Sequence, residues 1–245
     1  MSTHPLAVAT GDDTEDAADV LGLAALALAR RFSAGATLWC IAPQWPEHGR
    51  HVAVEFVHPV VMGKRALPAL HVEAGDPEST LRLLARPGDV LLALGSADEP
   101  RTAACLRRAE AWGLTRMWLG FGQRPPAGYA DYVIWVDGEA SELAPRSGEL
   151  VLRYHLLWEL THVVLEHPGL TVVGLDPECA ATGCITCSDQ ACVGEVRTPG
   201  DGGRAEVVVG GYLQTVDVSL VDPVAPGDLV LVHAGVAVTA IELRR

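Results

Sequence analysis

Basic residues are scarce in this chain. Eighteen Lys and Arg face 31 Asp and Glu, for a net charge of −13 over 245 residues. Both parts are acidic: residues 1–178 carry −9 and residues 179–245 carry −4. That balance argues against a nucleic-acid or anionic-membrane binder, which needs a basic face. Long hydrophobic runs are also missing; none reaches the roughly eighteen residues that would span a bilayer. The apolar run LGLAALALA (21–29) lacks the basic lead of a secretory signal, since Asp12, Asp13, Glu15, Asp16 and Asp19 precede it, and a helix explains it better. The expected location is therefore the cytoplasm. Aromatic residues make up only 5% of the chain, so alanine, valine and leucine must build its core. Outside one short stretch the only cysteines are Cys40 and Cys105, which read as core fillers on a strand and a helix.

The remaining four cysteines, Cys179, Cys184, Cys187 and Cys192, crowd into CAATGCITCSDQAC. In a cytoplasmic protein such clustering points to metal ligands or reactive thiols rather than structural disulfides. Cys184-x2-Cys187 can place two thiolates on one soft metal ion, and Cys179 and Cys192 could complete a four-cysteine zinc site. The C-x4-C-x2-C-x4-C spacing differs from the paired C-x2-C knuckles of zinc ribbons. A disulfide or redox pair between Cys184 and Cys187 stays open.

The cysteines stand at a seam in the pattern. Before them, helices are expected at 14–34, 47–57, 77–85, 99–112 and 147–166, the last stopped by Pro168-Gly169. Between these lie strands at 36–42, 67–73, 115–121 and 131–137, and within 85–95 a turn followed by a buried strand. Alternating helices and apolar strands predict a parallel sheet covered on both faces, with ligands at the carboxyl ends of its strands. The loop GSADEP (95–100) leads straight into a helix whose N-terminus could hold an anion, though a plain loop and cap is the simpler reading. After the cysteines, VGEVRT, RAEVVVGG, LQTVDVSLV, GDLVLVHAG and VAVTAIEL are short strands split by Gly, Pro and Asp, the signature of a small β-barrel. The expected organisation is an α/β domain at 1–170, a linker and cysteine-rich segment at 171–192, and an OB-like all-β barrel at 193–245. Barrels of this size have a minimal core, so docking on the first domain, a partner or a metal could help to stabilise it.

VGEV (193–196), VVVGGYLQTVDVSLVD (207–222) and above all PGDLVLVHAGVAVTAIE (226–242) resemble the HypC/HupF family of hydrogenase maturation chaperones, and CITCSD (184–189) looks like the cysteine motif ahead of that barrel. The resemblance implies a chaperone that holds or delivers the Fe(CN)2CO unit of nickel–iron hydrogenase. Its partners would be a HypD-type maturation protein and then the large-subunit precursor. It also implies a functional pair, a cysteine before the barrel and the histidine of VLVH. On this chain these are Cys187 or Cys184, with Cys179 and Cys192 behind them, and His233. Direct register from VGEV puts Asp189 at the family's cysteine, so a local shift is needed to bring Cys187 there. Without the resemblance, His233 would read as a core histidine; its place before Ala-Gly, where the backbone can be approached, argues for more.

HGRHVAVEFVHPVVMGKRALPAL (48–70), RPGDVLLALGSADEP (86–100), WGLTRMWLGFG (112–122), ADYVIWVD (130–137) and the helix with Tyr154-His155 resemble the SIS (sugar isomerase) fold, in particular its phosphoheptose isomerases. That likeness implies a sugar-phosphate isomerase or binding protein, with Glu55 and His155 as candidate catalytic residues, and a homodimer paired through helices. The phosphate loops are altered to APQWPEH (42–48) and GSADEP, and Leu160 stands where a catalytic histidine would follow His155. His48, His51 and His58 do not all share one helical face and read as surface or pocket residues. The leading expectation is a hydrogenase accessory protein rather than an enzyme. An isomerase and a zinc-stabilised adaptor are the alternatives.

Overall fold

The computed structural model describes residues 13–59, 63–73, 75–136, 147–171, 191–221 and 223–242. The first part alternates α1 (Asp13–Ser33), β1 (Leu38–Ile41), α2 (Pro46–Val57), β2 (Ala69–Val72), α3 (Pro77–Leu84), β3 (Val90–Leu94), α4 (Pro100–Ala111), β4 (Thr115–Phe121), β5 (Tyr132–Val136), α5 (Ser147–Glu166) and α6 (Pro168–Thr171). Its strands form one parallel sheet in the order β2-β1-β3-β4-β5. The order reverses between β1 and β3, which places a crevice at their carboxyl ends.

β1 shows how the sequence makes three layers. Leu38 and Cys40 point into one core with α1, α2 and α5, while Trp39 and Ile41 point into the other with α3 and α4. β1, β3 and β4 are buried along their whole length. Their continuous apolar runs reflect a sheet covered on both faces. The six tryptophans, all in this part, are buried, and the buried carboxylate of Asp89 ties together the starts of the neighbouring strands β1 and β3. It accepts from Thr37 N, Arg86 N and the Trp39 indole at 2.8, 2.9 and 2.9 Å. Cys40 and Cys105 are fully buried, and burial pushes both thiols far above the usual range, so neither is a nucleophile.

The second part is a closed five-stranded barrel, β10-β8-β7-β6-β9. Its strands are β6 (Cys192–Pro199), β7 (Arg204–Val209), β8 (Tyr212–Asp217), β9 (Leu229–His233) and β10 (Val236–Ile241). Among the described residues, only valine and alanine fill its interior. Two expectations need adjusting. The strand expected through 213–221 stops at Asp217, whose carboxylate turns the chain by accepting from Ser219 N (3.0 Å) and Ser219 Oγ (2.6 Å). Pro168 ends α5 but also opens α6, as a proline can at a first helical turn. No described helix is long and apolar enough to cross a membrane.

Candidate functional site

Two places concentrate chemistry. In the barrel, β9 ends at His233, and the chain reverses through Ala234 (φ 48°) and Gly235 (φ 81°) into β10. Two consecutive positive φ values make a tight hairpin, and Ala234 is the only non-glycine with positive φ among the described residues. His233 is half-buried at the rim of this strained turn.

Cys192 opens β6 and is exposed; in the β6–β9 ladder it lies opposite Val232, not His233. Directly paired residues share a face and successive residues alternate. Cys192 is therefore on Val232's side of the sheet and His233 on the other. A thiol sharing His233's face has to come from the chain before Ala191. Cys179, Cys184 and Cys187 lie there in sequence, outside the described residues.

The second place was missed as a constellation by sequence reasoning, although Glu55 and His155 were each singled out. His51 and Glu55 stand one turn apart on α2, and His155 faces them from α5. The Nε2 atoms of His51 and His155 lie 3.2 and 3.6 Å from Glu55 Oε1. One ligand atom from each residue falls within 4.8 Å of the other two, close enough to share a metal ion. The Nδ1 atom of His155 donates to Val151 O at 2.7 Å, so in the neutral ring its Nε2 is left as a lone pair aimed at the cluster. His51 Nδ1 lies 2.8 Å from the Tyr154 hydroxyl, which also approaches His48 Nδ1 at 3.5 Å. Burial, with the Glu55 charge behind it, pushes the Tyr154 hydroxyl up to about 12, so it stays protonated. Two imidazoles and a carboxylate with such outer hydrogen bonds suit a divalent ion such as zinc, or a proton relay. His162 is not part of this cluster. It is buried, with its ring nitrogens against the carbonyls of Trp158 and Arg65.

The strand-end crevice is less hospitable to anions. Glu99 caps α4 itself, accepting from Thr102 N at 2.6 Å. Ser96 Oγ bonds to Asp98 Oδ1 and to Gln44 Oε1 at 2.5 and 3.0 Å. The chain's own carboxylates occupy donors that an incoming phosphate would need.

Residues 191–245 match the model of the HupF/HypC family. The α/β part has the SIS fold. It superposes on a phosphoheptose isomerase from Francisella tularensis with a TM-score of 0.51 and 15% identity, covering 61% of this chain and 91% of the relative. For a phosphoheptose isomerase from Neisseria gonorrhoeae the values are 0.47, 14%, 62% and 91%. Comparison with curated proteins gives no match.

Proposed function

We propose that this protein is an accessory chaperone of nickel–iron hydrogenase maturation, whose barrel holds or delivers the Fe(CN)2CO unit to the large-subunit precursor after meeting a HypD-type partner. The observation that carries the reading is the HupF/HypC match over 191–245, which contains the His233 turn. The iron unit is cargo. A thiolate from Cys187 or Cys184 would bind it as a strong, exchangeable donor, and His233 would supply an imidazole from the rim of the turn. His233 belongs to none of the described hydrophobic cores, so it can be changed without emptying one. The α/β domain would serve for docking and for self-association through α5, where Leu152 and Leu156 are exposed; sedimentation at micromolar concentration should then show a dimer.

The test is infrared spectroscopy of protein purified anaerobically with its HypD-type partner. Cyanide and carbon monoxide bands are expected in the wild type. His233→Ala and Cys187→Ala should lose them and abolish hydrogenase maturation while the far-UV circular dichroism stays unchanged. Normal maturation with both variants would overturn the reading. Stoichiometric zinc bound by the cysteines without these bands would favour the zinc-stabilised adaptor.

The convergence of His51, Glu55 and His155 favours a second reading for the α/β domain alone. It would bind a divalent cation, or move a proton on a small carbonyl ligand as a sugar-phosphate isomerase does.

A further inference from the structure

Glu195, the acidic residue of VGEV, is 1% exposed, yet no ion pair within the barrel neutralises it among the described residues. Among the described residues, its side-chain partners come from the α/β part. Arg82 of α3 donates from Nε to one carboxylate oxygen at 2.8 Å. The indole of Trp112, just past α4, donates to the other at 2.5 Å, and Arg108 Nη1 stands 3.9 Å away. The Arg82 guanidinium also lies over the Trp112 ring, 5.6 Å from its centroid.

Around this pair the two parts exchange hydrogen bonds to backbone carbonyls. Arg108 donates to Gly227 O at 2.6 Å, Arg107 to Glu242 O at 2.9 Å, and Gly211 N to Ala111 O at 2.7 Å. Val193, two residues before Glu195 on the same face of β6, packs on the core that α3 and α4 build. Backbones meet closely where the β7–β8 turn touches the end of α4. A Cβ on Gly113, itself at φ +75°, would run into the carbonyl of Gly210.

A buried carboxylate is costly unless it is paired and hydrogen-bonded. A small barrel whose described core is valine and alanine has little stability to spare for it. We propose that Glu195 is an interdomain latch: the α/β domain is the barrel's permanent docking partner, and the barrel's stability is conditional on that seam. The outer face of β6 is thereby closed to other proteins. Cys192 remains exposed and His233 half-exposed, so an external partner meets the barrel from that end. This stands whatever chemistry the barrel performs.

Hydrogen–deuterium exchange on the full chain tests the latch. Glu195→Gln keeps the shape and removes the charge, leaving the Arg82 guanidinium without this counterion, while Arg108 keeps Glu78 at 2.7 Å. Amides of β6–β10 should exchange faster by about tenfold or more, while β1, β3 and β4 keep wild-type protection. Arg82→Ala, at a more exposed partner, should give the same pattern with smaller amplitude, and it decides the matter if the first variant cannot be recovered folded. Wild-type protection of the barrel in the recovered variants, or equal loss across barrel and sheet, would overturn the proposal.

Discussion

A single hydrogen bond decides what His155 can do. Its Nδ1 is fixed as a donor by Val151 O, so the free nitrogen that meets Glu55 is a lone pair unless a proton or a cation lies between them. His51 is steered in turn by Tyr154. These contacts explain why the cluster was hidden in the sequence. The spacing His51-x3-Glu55 was readable on one helix, but the third member lies about a hundred residues away, and only the packing of α2 near α5 brings it in. The expected outcome is that Zn2+ or Co2+ binds with about one-to-one stoichiometry in calorimetry and raises the melting temperature. His155→Ala and Glu55→Gln should remove that binding, and Tyr154→Phe should weaken it by about 10- to 100-fold, the range seen when an outer hydrogen bond to a ligand histidine is lost. Binding unchanged in His155→Ala would place the metal elsewhere, with the cysteines as first suspects.

Among the elements, α4 shows both how well the sequence could be read and where it fell short. Its start after GSADEP and its closure at Gly113 were legible from capping residues, as the strands were legible from continuous apolar runs bounded by Gly, Pro and Asp. What no local pattern announced is that α4 carries the barrel. Nothing in VGEVRT itself marks Glu195 as buried; Arg82, Arg108 and Trp112 surround it from the other domain. The N-terminus of α4 also bears on the anion question raised by the sequence. Its amide pole is taken by the Glu99 carboxylate, and the adjacent serine is bonded to Asp98. Millimolar sedoheptulose 7-phosphate or related sugar phosphates should therefore leave the melting temperature unchanged and undergo no turnover. A rise of a few degrees would mean binding to the folded state and would promote the isomerase reading. Glu99→Ala should cost about 1 kcal/mol in urea unfolding, the usual loss of a helix cap.

For the whole molecule, acidity and burial act together on pH stability. Burial lowers the pKa of His48, with His51 adding to the effect and Glu47 opposing it. Burial likewise lowers that of His71, with the Arg50 charge adding and Glu73 opposing. The unfolded chain, where histidine titrates near its ordinary value of about 6.5, then holds more protons than the folded one just below that pH. Stability from these two groups is therefore full above about pH 6.5, falls as the pH drops through that value, and levels off below their folded pKa values. Asp76 and Asp217, held down by hydrogen bonds from Ser79 and Ser219, and Glu166, held down by Lys64, lose their contribution in the same direction but only at still lower pH. The net charge of −13 works oppositely, because protonation relieves self-repulsion. The histidine part has to be isolated by comparison. Between pH 7 and 5.5 the urea midpoint of the wild type should fall more steeply than that of the His48→Gln/His71→Gln variant. Identical slopes in the two proteins would show that neither histidine carries the pH dependence.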